Sequence, residues 1–247
     1  MATTVTLRSH QESQSQVVEQ APVVQEEMEF EMEELEPEEE VTEPQPVSPD
    51  FHALTPYDEP FPEVLRGENG PSVLFFHGNI SLLSSRMVAM VTRGQSTMLE
   101  SCRRLAGQVA QKGYTVLVGG FRDEDQWIIG GALDHQSPVV IILHSGLATV
   151  QLPPQLEQWV QQGLVLVISA VFPKTRYTED NAKRRHGYMV ALSEYTIAVQ
   201  VSAKAGSWDL CQQTLGAKKR LFLAPTSDAG NKALVGKPGV TVLGTKK

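Results

Sequence analysis

The chain has 247 residues and a formal net charge of -8. That sum hides a division: residues 1–50 hold 14 of the 29 acidic residues and one basic residue, Arg8, a local charge of -13, whereas residues 51–247 carry +5. The overall acidity therefore does not exclude a nucleic-acid partner, which needs Lys and Arg for its phosphates. No apolar run approaches the roughly 20 residues of a membrane span, and Cys102 and Cys211 form no metal or redox motif.

In chain order, residues 1–50 are Gln-, Glu-, Val- and Pro-rich, with the run Glu33 to Glu40 at the centre. Like charges at this density repel and too little apolar surface offsets chain entropy, so the segment is expected to be a disordered acidic tail. It is read either as a solubilising extension or as an intramolecular mimic of nucleic acid. The start lacks the basic-then-apolar pattern of a signal peptide, so a cytoplasmic protein is expected. Residues 51–70 are rich in proline and read as a linker, leaving residues 71–247 for one sizeable domain.

Met87 to Val91 reads as a buried strand, apolar on both faces. Apolar residues at Met98, Cys102, Leu105, Val109 and Ala110 predict a helix over Thr97 to Gln111, capped by Gly113. Tyr114 to Val118 is a second strand, followed by a helix ending near Leu133, and Val139 to Leu143 is a third strand. Pro153 and Pro154 open a helix to Gln162, and Leu164 to Ile168 is a fourth strand. A helix over Asn181 to Ser193, a strand over Thr196 to Val201 and a helix over Ser207 to Leu215 follow; Arg220 to Leu223 and Val240 to Leu243 complete the sheet. Strands alternating with helices predict an α/β, Rossmann-like, doubly wound domain with a mostly parallel sheet and helices on both faces.

Ligands of such sheets bind outside the carboxyl ends of the strands. After the first strand, Thr92 to Thr97 with Arg93 reads equally as a phosphate cradle or as a capped turn. After the second, Gly119-Gly120 precedes Asp123, Glu124 and Asp125, acids that more simply complement a helix N-terminus than hold a metal. After the fourth lie Lys174, Arg176, Asn181, Lys183, Arg184, Arg185 and His186, with Phe172 and Tyr177 interleaved. Charge that tracks a backbone, with aromatic platforms between, is the composition that holds single-stranded nucleic acid; a solvated helix face is the blander reading of Lys183 to Arg185. Gly206-Ser207 opens a helix and offers a second anion site. The histidines show no zinc-ligand spacing, and neither a Gly-x-Ser-x-Gly elbow nor a Cys/His nucleophile pair is present.

Several of these segments, in order, resemble the DNA-processing protein A (Smf) family. Phe61 to Leu65 and Pro71 to Leu83 are similar to its "YP..L … P.vLy.kGn..ll" lead-in. Met87 to Arg93 is similar to "vAiVGsR", and Tyr114 to Leu133 to "g..vvSGlA.GID..AH.gAL". Asn181 to Ser193 follows "nFp.RNRiIagLs" in spacing, Gly206-Ser207 matches an "sGS" turn, and Gly230 to Leu234 is similar to "G.N.LI". The resemblance implies a Rossmann-like domain that binds single-stranded DNA, often as a homodimer, and helps load a RecA-type recombinase during natural transformation. It implies no catalytic turnover, and no cofactor is expected. By matching position it assigns DNA contact to Arg93 and to the run Lys183, Arg184 and Arg185, with Gly206 and Ser207 on the same surface.

The chain departs from the family pattern in places. One residue is missing before Arg93, acids replace the neutral "GID" turn, and His186-Gly187 replaces an Asn-Arg pair. The chain ends soon after the last strand, where the family carries a winged-helix domain. Two other functions stay open at this point: a nucleotide-binding sensor or nucleotide-processing enzyme, for which the "PGGxGTxxE" motif is incomplete after Gly119-Gly120, and a protein-interaction module that docks through the acidic tail.

Overall fold

Residues 49–93, 98–203 and 205–244 are described by a computed structural model. The expectations for the acidic tail, and for most of the loop that follows Arg93, lie outside these residues. The four strands with apolar residues on both faces take the middle of the sheet: β3 (Met87–Val91), β4 (Thr115–Val118), β5 (Val139–Leu143) and β6 (Val165–Ser169). They pair in parallel, with Val88 opposite Val116, Val116 opposite Val139 and Val139 opposite Val165. β7 (Ser193–Ala198) pairs in parallel on the other side of β3, followed by β8 (Arg220–Leu223) and β9 (Val240–Val242).

Alternation along these strands divides the core in two. Val88, Met90, Val116, Val118, Ile141 and Val167 point to one face, where they pack on Cys102, Ala106 and Val109 of α1 (Leu99–Gln111). Ile128 and Ile129 of α2 (Asp123–Leu133) and Leu156 and Val160 of α3 (Pro154–Gln161) join that layer. Ala89, Leu117, Val140, Ile142 and Ile168 point the other way, onto Met189 and Val190 of α4 (Glu179–Leu192) and Leu210 of α5 (Gly206–Gly216). One strand set thus serves two helix layers, which is why the strands tolerate no polar face. The expected Rossmann-like, doubly wound class is what the chain adopts. Gly113, at φ +76°, closes α1 by donating its N–H to Ala110 O at 2.9 Å, as its position in the sequence suggests.

The sheet extends further than the sequence reading allowed. Residues 51–70, expected as a linker, contain β1 (His52–Leu54), which pairs antiparallel with β2 (Leu74–Gly78), and β2 pairs antiparallel with β6. Between them Phe61 and Leu65 are buried, so the proline-rich stretch covers the sheet instead of spacing it from a neighbour. β7 also begins three residues before the expected strand. Lys219 holds that junction: its Nζ donates to the carbonyls of Val190, Ala191 and Ser193, capping the C-terminus of α4 with a cation. A short helix that was not anticipated, α6 (Ala229–Leu234), carries buried Asn231, which donates to the carbonyls of Val199 and Ala224 and accepts from the N–H of Val201 at 2.8 Å. One amide side chain thereby fixes the loop that leaves β7.

Strand order runs β6-β5-β4-β3-β7-β8-β9 across the parallel part. From β3 the chain winds outward through β4, β5 and β6, then α4 carries it back to the far side of β3. The carboxyl ends of β3 and β7 therefore flank the point where winding reverses, the place where this architecture leaves a crevice.

Candidate nucleic-acid interface

A cavity of about 410 Å³ opens at that crevice. Its walls come from the loops after β3 (Thr92, Arg93), β4 (Gly119 to Arg122), β5 (His144, Ser145) and β7 (Gly206, Ser207), and from the inward side of α4. Sequence reasoning brought most of these loops to one edge, and the structure brings them to one cavity. It does not give every predicted residue the same role.

The basic run on α4 is divided by helix geometry. Successive residues lie about 100° apart, so three in a row cannot share a face. Lys183 and Arg184 face outward; Lys183 pairs with Glu179 at 3.1 Å, and both line a shallow groove beside Val64 to Gly70. Arg185 points inward to the cavity, where it is not a surface contact of the kind expected. Its Nη1–H donates to the carbonyl of Gly119 and its Nη2–H donates to His186 Nε2 at 2.8 Å. Gly119 suits the arrangement, since a Cβ there would meet the guanidinium carbon at 3.0 Å.

Arg185 organises the charges of the cavity. Burial raises the Asp125 carboxyl above the usual carboxylate range, and the nearby Arg185 partly offsets this. Burial likewise pulls the Arg185 guanidinium down to about 10, still far enough above neutrality to keep it charged. His144 is held down to about 4, first by burial and then by the cations Arg185 and Arg122, so its imidazole is neutral. His186, 3% exposed, is also lowered by burial and by Arg185, and its Nδ1–H donates to Asp209 Oδ2 at 2.6 Å.

The other predicted residues separate into exposed and inward-turned groups. Arg93, Lys174 and Arg176 are exposed; the N–H of Arg93 donates to Gln200 O at 2.9 Å and leaves its side chain at the cavity mouth. Phe172 and Tyr177, 70% and 58% exposed, stand on the same β6–α4 loop, with the Tyr177 ring edge-on to His144 at 4.8 Å. That loop is pressed onto the β5 loop at Gly146, where an added Cβ would lie 2.1 Å from Phe172 O. Asn181 is an N-terminal residue of α4 whose N–H is capped by the Thr178 hydroxyl at 3.1 Å, with its side chain half-buried. Thr92 is buried, and Ser207 Oγ accepts from the N–H of Ser202 at 3.1 Å, which holds the loop before α5 together. Gly206 is exposed at the cavity wall.

Asp125 and His186 were named in the sequence reading, as an acid at a helix N-terminus and beside the basic run; Arg122 and His144 of the cavity lining, and Asp209 behind His186, were not. The signal available was positional: each but Asp209 lies within about one helical turn of the carboxyl end of a strand or beside the basic run. Among the described residues no cluster of His, Cys, Asp or Glu suited to a metal is present. No helix among them is long and apolar enough to cross a membrane.

The family model for DNA recombination-mediator protein A matches residues 52–246. DNA processing protein A from Streptococcus pneumoniae is similar in structure, with a TM-score of 0.67 at 20% identity, covering 78% of this chain and 71% of that one. DNA processing protein A from Helicobacter pylori, whose structure concerns a single-stranded DNA binding mode, is similar with a TM-score of 0.68 at 20% identity, covering 81% and 94%. At such identities the likeness carries the fold. A sequence search of curated proteins gives no match.

Proposed function

Because the chain belongs to the DNA recombination-mediator protein A family, we propose that it binds single-stranded DNA along the carboxyl edge of its sheet and assists a RecA-type recombinase. The observation that carries this reading is the exposed set Arg93, Lys174, Arg176, Lys183 and Arg184 with the exposed rings of Phe172 and Tyr177 at that edge. Cations neutralise phosphates without regard to sequence, and exposed rings offer every base a stacking surface. The protein acts as a non-catalytic mediator in the cytoplasm, as a homodimer, and passes its strand to the recombinase. Arg185 supports the surface from beneath, through Gly119 and His186, and does not grip phosphate itself.

Fluorescence anisotropy of a labelled oligonucleotide tests the reading. The full chain is expected to bind the single strand at low salt and to prefer it over the corresponding duplex, whose bases are not free to stack on Phe172 and Tyr177. Failure to bind the single strand at low salt would remove the proposal.

A further inference from the structure

β2 reads Leu-Phe-Phe-His-Gly, and alternation along it turns Phe75 and His77 towards α3 and Phe76 to the opposite face. The His77 ring meets two partners. Its Nε2 lies 2.9 Å from Glu157 Oε2 on α3, and its Nδ1 lies 2.5 Å from the carbonyl oxygen of Asp50, just before β1. The His77 and Glu157 side chains are 14% and 16% exposed, so little water competes for these contacts. Both partners are acceptors. A backbone carbonyl has no proton to give, and Glu157 Oε1 already accepts from Gln161 Nε2–H at 3.3 Å. A neutral imidazole donates from one nitrogen only, so two acceptors call for the imidazolium. We propose that His77 is a pH-sensitive clasp that ties the start of β1 to α3 only while its ring carries both protons.

Loss of one proton forces a choice between the partners. The ionised carboxylate is the stronger acceptor, so the remaining proton stays with Glu157 and the Asp50 carbonyl loses its donor. The charged groups around the ring are few. Glu157 is the one charged residue of α3, and Asp50, itself exposed, is the one at the entry to β1. β6 carries no charge and sets Val167 beside His77, while His52 lies on the opposite face of the sheet against Phe76. β1 has little else to hold its start. It is a three-residue strand at the edge of the sheet, with Phe51 edge-on to Phe75 at 6.1 Å. Elements with few buried contacts open at low local free energy, so one charge-assisted hydrogen bond counts for more there than in the core. In the family's lead-in pattern a lysine stands where this chain has His77. A lysine keeps its charge across the pH range in which histidine changes its own. The chain that precedes β1 is the acid-rich segment, so the clasp governs how firmly that segment's point of attachment stays in the sheet.

Amide hydrogen exchange of the full chain tests the clasp. It is followed by mass spectrometry and expressed as protection relative to the unstructured rate at each pH. Protection of the peptide covering residues 50–55 is expected to fall about tenfold between about pH 6 and about pH 8.5, the scale of one lost hydrogen bond. β5, in the middle of the sheet, should keep its protection over the same range. Two variants separate the clasp from any other effect of pH. His77→Lys supplies a cation that stays charged, and Glu157→Gln supplies an amide N–H that can donate to a neutral ring. Each should hold the protection of β1 level across the range, and Glu157→Gln carries the comparison if His77→Lys fails to fold. The ring nitrogens of His77, read by NMR at about pH 6, should both bear protons. Protection of β1 that does not change with pH in the parent overturns the proposal. So does the parent's full fall retained in Glu157→Gln, or a singly protonated ring at about pH 6.

Discussion

The Nδ1 of His186 lies 2.6 Å from Asp209 Oδ2, joining α4 to α5 beneath the cavity. A guanidinium only donates, so Arg185 Nη2 at 2.8 Å from Nε2 requires that nitrogen to be the acceptor. The imidazole is therefore neutral, with its proton on Nδ1 given to Asp209, and the chain Gly119–Arg185–His186–Asp209 links the β4 loop to two helices. It stands where the sequence departs from the family pattern, with His186 in place of an asparagine.

Asp209→Asn replaces the carboxylate acceptor by a neutral amide and also weakens the hydrogen bond from Gln213 Nε2 to the same oxygen, at 2.9 Å. The fold is expected to lose about 1.5–3 kcal/mol, the range for a hydrogen bond involving a charged group, read from the midpoint of a urea unfolding curve. An unchanged midpoint would make the contact incidental.

The neutral histidines set a direction for pH. His144 has a folded pKa of about 4 against an ordinary 6.5, and faces Arg185, Arg122 and His186; His186 is lowered as well. Between those values the unfolded chain takes up protons that the fold refuses, so stability falls as pH drops from about 6.5 towards about 4 and this contribution levels off below. Asp125, raised by burial, pulls the other way at the acid end of the window. His144→Leu removes one of the titrating groups, and unfolding curves across this range should show a shallower loss than in the parent. Equal slopes would contradict the assignment.

Both thiols are buried, and burial pushes Cys102 up to about 11 and Cys211 up to about 12. Only the thiolate is nucleophilic, so at pH 8 neither should react with an aromatic disulfide reagent in the folded protein. Both should react at once in denaturant. Fast labelling of the native chain would show that one of the two helices, α1 or α5, opens.

The central strands were legible because their burial on both faces leaves a continuous apolar run: Met87 to Val91, Val139 to Leu143 and Leu164 to Ile168 allow little else. β1 and β2 were not, because three residues at an edge and the sequence Leu-Phe-Phe-His-Gly carry no alternation, and the prolines of residues 51–70 read as a linker. The cavity was legible as a place and not as a set of groups. Lys183, Arg184 and Arg185 look equivalent in a list of letters, and only their angular placement on α4 sends two to solvent and one inward. His144 and His186 lacked any ligand spacing, and Asp209, 23 residues from His186, meets it only through the packing of α4 on α5.

The acidic segment makes its own prediction from charge alone. Residues 1–50 carry -13 against +5 for the rest, and charge of that sign competes with phosphate for the same cations. Removing residues 1–48 is expected to tighten single-stranded DNA binding, most at low salt where screening is weakest. Equal affinities across salt would make the segment a solubilising extension only.

The central claim, that the exposed cations at the carboxyl edge hold DNA phosphates, is tested most directly by the salt dependence of oligonucleotide affinity. Log K against log salt is measured for the full chain and for a variant with Lys174, Arg176, Lys183 and Arg184 all changed to alanine. Each phosphate contact on a single strand contributes about 0.7 to the slope, so the variant should bind more weakly to every sequence and lose about 2 to 3 units of slope. Equal slopes and affinities in the two proteins would place the DNA, if it binds at all, elsewhere on the molecule.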